Sequence, residues 1–280
     1  MAGLILEGGT FRPIFSAGIM DVMVQQGIEF PYVIGVSAGI TNGVSYVSKQ
    51  VGRNLDVLLK YRHDKRYMGA GNLLKCQSLF GLDFIYSDIP AIHNPFDYDT
   101  YYSYQGRVLV GVTNAVTGKA EYLDGLKMDE KNTMLRATCA IPFVFPTITI
   151  DGVPYYDGGL ADPIPIRKAI ADGNEKNLII LTRCKGYRKE LSKQNQLAAK
   201  ILKHKYPNLV PVLLNRHLAY NDTLEYCEQL EKEGKALILR PSEPIDSFEK
   251  DLDKLKHAYD MGVETALMNL DKIKELLKEA

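Results

Sequence analysis

Two strand–turn–helix units fill the first fifty residues, and they restrict the fold more than anything that follows. Gly3-Leu-Ile-Leu reads as a short buried strand. Ile14 to Gln26 then carries Ile14, Phe15, Ile19, Val22 and Met23 at helical spacing, and Gly27 stops it. Tyr32-Val-Ile-Gly-Val is a second buried strand, and Ala38 to Ser48 resumes the helical pattern. Consecutive strands joined through helices have to run parallel, which implies an α/β chain with a mostly parallel central sheet.

The rest of the sequence extends that sheet. Arg107 to Thr113 and Ala120 to Leu123 read as a strand pair around Thr117-Gly-Lys, and Thr147 to Ile150 and Val153 to Tyr156 form a hairpin around Asp151-Gly152. Glu130 to Ala140 reads as a helix ended by Ile141-Pro142, and Pro163 to Ala171 as another. Asn177 to Thr182 and Ala236 to Leu239 are further strands; Glu190 to Lys203, Val210 to Lys232 and Phe248 to Glu279 are helical. Tyr67 to Tyr104 differs in texture, with Tyr67, Phe80, Phe84, Tyr86, Phe96, Tyr98, Tyr101, Tyr102 and Tyr104 among weak periodicity and two prolines. It is expected to be an aromatic-rich subsidiary core, or a lid with an apolar inner face.

Charge argues mainly by exclusion. Lys+Arg equals Asp+Glu at 34 each, so no global basic field points to nucleic acid. Arg183 to Lys205 nevertheless holds a run of bases against the single acid Glu190, expected to be a solvated helix face or a peripheral contact with anionic lipid headgroups. Cys76, Cys139, Cys184 and Cys227 lie too far apart for a zinc pattern and are expected as buried reduced thiols. Neither a signal peptide nor a membrane span is visible, which predicts an intracellular, cytoplasmic chain that touches membranes only from the side.

The chemistry centres on Gly35-Val36-Ser37-Ala38-Gly39, a GxSxG between a strand and a helix. The glycines permit a strained turn that lifts the Ser37 hydroxyl above the sheet at the positive end of a helix. A serine nucleophile needs a base. His204, His217 and His257 follow Asp157 in the order of an α/β-hydrolase triad, but each sits in or at the end of a helix, and only one strand precedes the elbow strand. Asp157, in Tyr155-Tyr156-Asp157-Gly158-Gly159 after a short strand, is the other candidate; burial would raise its pKa toward a working base. Gly8 and Gly9, in Leu4-Ile-Leu-Glu-Gly-Gly-Thr, offer bare backbone N–H groups for a transient oxyanion. A phosphate cradle would need the same physics, yet Thr10 and Pro13 break GxGxxG and no GKS or GKT follows.

Taken together, EGGTFRPIFSAGIMD, YVIGVSAGITNG, LRATCAIPFVFP and VPYYDGGLADPIPIRKAI resemble the patatin-like phospholipase family in order and spacing, over roughly residues 3 to 183. The run LTRCKGYRK looks like the start of the C-terminal extension found in a bacterial branch. The resemblance implies a three-layer α/β/α fold, with a catalytic domain over 1–183, an aromatic-rich insertion near 67–104, and a mainly helical extension over 184–280 on the same core. It implies Ser37 as nucleophile and Asp157 as base, an oxyanion hole of Gly8, Gly9 and the Thr10 N–H, and Arg12 at the basic position, with Gly35, Gly39, Gly158 and Gly159 as supporting motif glycines. It implies hydrolysis of lipid acyl esters without a metal or other cofactor; acyl transfer, hydrolysis of soluble esters, or silent lipid binding are the alternatives. Thr10 stands where the family has a third glycine, and Pro13 where it has a glycine after the basic residue. Thr10 keeps its N–H but resists positive φ, whereas Pro13 loses an N–H that the first helical turn does not need.

Overall fold

A computed structural model describes residues 1–278 of the chain. Strands β1 (Ala2–Leu6), β2 (Tyr32–Val36), β3 (Arg107–Asn114), β4 (Ala120–Asp124), β5 (Ile148–Ile150), β6 (Val153–Asp157), β7 (Lys176–Ile180) and β8 (Ala236–Leu239) form one sheet. Between and after them run α1 (Ile14–Gln25), α2 (Ala38–Val47), α3 (Arg53–Tyr61), α4 (Ala70–Cys76), α5 (Tyr98–Tyr102), α6 (Thr133–Thr138), α7 (Ile166–Ala171), α8 (Lys193–Leu202), α9 (Leu209–Lys232), α10 (Leu252–Met268) and α11 (Leu270–Lys278).

β3, β2, β1, β7 and β8 lie side by side and all run parallel, while β4 and β6 pair with β3, and β5 with β6, in antiparallel fashion. The central strands are apolar along their whole length because both faces are covered. Leu4, Leu6, Val33, Val110 and Leu178 point into one core with α1, α2 and α10. Their alternates Ile5, Ile34, Leu109 and Ile179 point into another with α7 and α9. Side chains alternate across a strand, so two cores on opposite faces make three layers. The expected α/β/α architecture with a mostly parallel sheet is therefore the observed one.

Several local expectations change. The helix expected over Glu130 to Ala140 is only α6, because the Asp129 carboxylate accepts from the Thr133 amide and hydroxyl at 2.7 and 2.6 Å and keeps residues 130–132 in a turn. α3 was not anticipated, although Leu55, Leu58 and Tyr61 repeat at helical spacing. The Tyr67 to Tyr104 stretch contains α4, α5 and a wide π-helical segment, Phe84–His93, that includes Pro90. Cys139 and Cys227 are buried free thiols, whereas Cys76 and Cys184 are partly exposed. Glu279 lies outside the described residues. Among those described, no helix is long and apolar enough to cross a membrane.

Candidate active site

β2 ends at Val36 and α2 begins at Ala38, so Ser37 alone makes the turn, at φ 54° and ψ −141°. A side chain held in such backbone costs about 1–3 kcal/mol, and persists only where the surroundings over-determine it. Here they do. The Ser37 amide donates to Thr138 Oγ1 at 2.8 Å, and the Thr138 hydroxyl passes the bond on to the Gly111 carbonyl at 2.5 Å. Gly35 and Gly39 let the neighbouring chain close in: a Cβ at Gly35 would lie 2.8 Å from the Leu6 Cβ, and one at Gly39 would lie 2.5 Å from the Glu7 carbonyl oxygen. Ser37 holds the N-cap position of α2, yet its hydroxyl caps nothing there and is left for other use.

Asp157 reaches the same place by a different route. A strand has two edges, and β4 occupies one edge of β3 from Leu109 to Thr113. β2 and β6 therefore share the other edge: Val36 pairs with Gly111, and Asp157 pairs with Val112, the next residue along. The two strand ends meet head to head, and the Ser37 hydroxyl and the Asp157 carboxylate line one cavity, near enough for the hydroxyl to favour the ionised carboxylate. Glycine at 158 makes the approach feasible, since a Cβ there would fall 2.1 Å from the Gly111 carbonyl oxygen.

The Asp157 carboxylate is 3% exposed. Burial pushes its pKa above the ordinary carboxylate range, while the nearby Ser37 hydroxyl, the Arg216 charge and the Gly159 amide oppose the rise. The Gly159 amide donates to Asp157 Oδ1 at 2.8 Å, and Arg216 Nε donates to the Gly159 carbonyl at 2.6 Å. Arg216, on α9, escaped the sequence reading because nothing local distinguishes it from any other helical arginine.

The Gly8-Gly9-Thr10 loop faces this pair. A Cβ at Gly8 would sit 2.7 Å from the Ser37 Cβ, so only glycine fits against the serine. The amides on either side are taken, Glu7 by the Ile180 carbonyl and Phe11 by the Ser247 carbonyl, both at 3.2 Å. Among the described residues, the amides of Gly8, Gly9 and Thr10 meet no protein acceptor, leaving three consecutive donors beside one hydroxyl. Gly9 has φ 150° and Thr10 φ 57°, so threonine adopts the left-handed conformation that its branched Cβ disfavours.

Arg12 holds the loop from behind. Its guanidinium packs under Gly9 and donates to Thr182 Oγ1 at 3.2 Å and to the Ser247 hydroxyl. Glu7, 4% exposed, accepts from the Thr182 amide at 2.6 Å and from the Tyr220 hydroxyl at 2.9 Å. Glu7, Thr182, Tyr220 and Ser247 were all missed by sequence reading; they are ordinary residues that become one buried network only through the fold.

Ser37 lies where two cavities meet. One, of about 150 Å³, is lined mostly by apolar and aromatic side chains, among them Phe11, Tyr67, Phe80, Tyr86, Ile89, Phe96 and Phe145. The other, of about 320 Å³, is polar and contains Asp157, the Gly8–Thr10 loop, Arg12, Arg183, Lys189 and Arg216. The aromatic-rich stretch thus lines the apolar cavity as well as packing into the core. No histidine lines either cavity among the described residues. His204 and His257 are exposed, and His257 faces Glu243 at 3.5 Å.

Fold and site together define an α/β protein with a serine on a strained strand–helix turn that shares one cavity with a buried aspartate and free backbone amides. The chain belongs to the patatin-like phospholipase family, whose model matches residues 4–170. A second model, a domain of unknown function (DUF6363), matches residues 206–278. The chain is 27% identical over 193 residues to the uncharacterized protein YjjU of Escherichia coli (strain K12), covering 64% of this chain and 51% of that protein. It is 24% identical over 189 residues to the probable lipid hydrolase 463L of Invertebrate iridescent virus 6, covering 62% of this chain and 65% of that one. The matches thus span between half and two thirds of these relatives' length. VipD from Legionella pneumophila has a solved structure that aligns over 97% of this chain and 67% of its own, at 14% identity and a TM-score of 0.48.

Proposed function

We propose that the chain is a lipid acyl hydrolase that cleaves carboxylic esters through a Ser37–Asp157 dyad. The observation that carries this reading is one cavity wall that holds the Ser37 hydroxyl on its strained turn, the buried Asp157 carboxylate and the unpartnered amides of Gly8, Gly9 and Thr10. Family membership and the probable lipid hydrolase among the relatives support the lipid substrate.

In this mechanism Ser37 Oγ attacks the acyl carbonyl carbon as its proton passes to Asp157, and the carbonyl π pair moves onto oxygen. The three loop amides hold that oxyanion; one preorganised donor of this kind is worth about 3 kcal/mol. Collapse expels the alcohol, which takes the proton from Asp157, and leaves an acyl-enzyme. Water then attacks with Asp157 again as base, releasing the fatty acid and restoring the serine. The acyl chain lies in the apolar cavity, lined by the Tyr67 to Tyr104 insertion. Residues 1–183 form the catalytic unit in this reading, and the chain from 184 onward is an extension that adds β8 to the same sheet.

The test is labelling by a fluorophosphonate together with release of fatty acid from glycerolipids, read by mass spectrometry. Labelling of the wild type and none of Ser37→Ala is expected. Equal labelling of both proteins would sink the proposal.

A further inference from the structure

The apolar cavity follows one face of α2. Ser37, Ala38, Thr41 and Val44 recur in its wall at helical spacing, and Asn42, Arg53 and Asn54 line it as well. Ser37 stands at the N-terminal end of that helix. Toward the other end, Ser45 Oγ donates to Asn54 Oδ1 at 3.0 Å and accepts from Arg53 Nη1 at 3.5 Å. Ser37 and Ser45 are eight residues apart, about 12 Å along the helix axis. An acyl chain that leaves Ser37 along this wall therefore runs toward a guanidinium.

That cation stands alone. Among the described residues no other charged side chain lines the cavity, and Arg53 makes no ion pair. Its Nη2 donates to the Asn94 carbonyl at 3.1 Å, its guanidinium lies 5.2 Å from the centre of the Phe96 ring, and its Nε is buried with no acceptor. Burial pulls the pKa of the group down to about 10, and the opposing pull comes from the Tyr98 hydroxyl and not from a carboxylate. Arg53 is also the first residue of α3, at the positive end of a helix, where a cation is disfavoured; Asp56, the acid of that turn, is exposed. The asparagine amides of the wall already donate within the protein, Asn42 to the Pro13 carbonyl and Asn54 to the Asn42 carbonyl at 3.1 Å each, and Asn132 to the Tyr86 carbonyl at 2.7 Å. A buried charge without a partner costs stability that a bound anion would return.

We propose that Arg53 binds a carboxylate at the far end of the acyl chain, so that the substrate is an ester of a dicarboxylic acid whose second carboxylate is free. The assignment rests on the serine-hydrolase reading and deepens it. The ester bond at Ser37 breaks as described above, and the distal carboxylate is held without being transformed. The protein has already stripped water from the guanidinium, so the ligand adds only the desolvation of its own carboxylate, and a planar fork of N–H donors matches that group. The helix sets the length of the chain. With an N–H to oxygen bond of about 2.8 Å taken from the 12 Å span, about 9 Å remain. An extended chain advances about 1.2 Å per bond, so about seven or eight bonds separate the two carboxyl carbons, as in octanedioyl and nonanedioyl groups.

The test compares kcat/KM for the mono-4-nitrophenyl ester of nonanedioic acid with that for 4-nitrophenyl nonanoate, and repeats the comparison with pentanedioic and pentanoic acids, whose chains are too short to reach Arg53. The wild type is expected to favour the nonanedioyl over the nonanoyl ester by at least about tenfold, the lower end of what one charge-assisted hydrogen bond supplies, and to show no such preference in the short pair. Arg53→Gln should abolish the long-chain preference and Arg53→Lys should recover part of it, whereas Lys60→Gln, on the exposed face of α3, should leave it as it is. The chain-length comparison in the wild type stands even if a variant fails to fold. A long-chain ratio near or below one would overturn the proposal, as would a preference that survives Arg53→Gln. An equal preference in the short pair would overturn it too, by assigning the carboxylate to the cations of the polar cavity. If no ester is cleaved, the hydrolase reading fails instead. The site is then judged on Ser37→Ala by a rise in melting temperature induced by nonanedioate: its loss on adding Arg53→Gln upholds the site, and its absence refutes it.

Discussion

Val36 and Asp157 pair with consecutive residues of one strand, Gly111 and Val112, so that the ends of β2 and β6 abut along a single edge of β3. Ser37 and Asp157, 120 positions apart in the chain, are thereby set side by side by sheet register and not by any flexible loop. The weak point of the arrangement is Gly158, where a Cβ would meet the Gly111 oxygen at 2.1 Å and a Val36 methyl at 2.9 Å. Gly158→Ala has to push the end of β6 away from Ser37. Overpacking of this kind costs about 1–3 kcal/mol, and a displacement near 1 Å at a reacting centre costs about 100-fold in rate. Thermal melts and ester hydrolysis on the same preparation check this, and wild-type turnover in the variant would show that the two strand ends tolerate separation.

Thr138 is expected to matter as a positioning residue. Its hydroxyl accepts from the Ser37 amide and donates to the Gly111 carbonyl, tying the strained turn to β3 with both partners buried. Thr138→Val keeps the shape and deletes both bonds, and each buried group left unpaired costs about 1–3 kcal/mol. A lower melting temperature and a fall in kcat with little change in KM are expected, while Thr138→Ser, which retains the hydroxyl, should recover most of both. Failure of the serine variant to rescue would assign the loss to packing.

What could be read from the sequence was what local chemistry dictates. β1, β2, the serine turn and the Asp151-Gly152 hairpin announce themselves through apolar runs and paired glycines. The π-helical Phe84–His93 did not, because its wider repeat takes Phe84, Tyr86, Ile89 and Pro90 off the 3.6-residue period by which helices are recognised. Asp157 stood out only as an aspartate before two glycines; its meeting with Ser37 is a matter of register between β2, β3 and β6, which no periodicity reports. Thr138, Arg216 and Lys189 carry no local signal at all. Lys189 and Arg183 even belong to a run whose composition suggests a solvated face, and only the path of residues 183–191 turns them inward.

Thr10 tests how the loop tolerates a residue ill-suited to its backbone. At φ 57° a β-branched side chain is strained, whereas glycine adopts that conformation freely. Thr10→Gly removes strain of about 1–2 kcal/mol but returns about 0.5–1 kcal/mol to the flexibility of the unfolded chain. A small net stabilisation is expected, up to about 1 kcal/mol by denaturant titration, with the N–H retained and hydrolysis kept within a few-fold of wild type. Marked destabilisation would mean that the threonine side chain makes contacts that outweigh its backbone strain.

Asp157 should have opposite effects on stability and on activity. Because burial raises its pKa, the folded protein holds a proton, between the ordinary carboxylate range near 3.9 and the raised value, that the unfolded chain has already lost. Its contribution to stability is therefore undiminished at acid pH and falls as pH rises through that window. Asp157→Asn keeps an oxygen for the Gly159 amide and removes the buried charge. It is expected to melt above the wild type near pH 7, with the difference shrinking as pH falls through that window and levelling off below the ordinary carboxylate range. Hydrolysis should move the other way, since the base works only when ionised: wild-type kcat/KM should climb with pH along an acid limb displaced above the ordinary value, and the asparagine variant should lose about 100- to 10,000-fold. Melting curves and pH–rate profiles for the two proteins decide it. A variant less stable than wild type at neutral pH would mean that the ionised carboxylate, with Arg216 and the Gly159 amide around it, is a net stabilising charge after all.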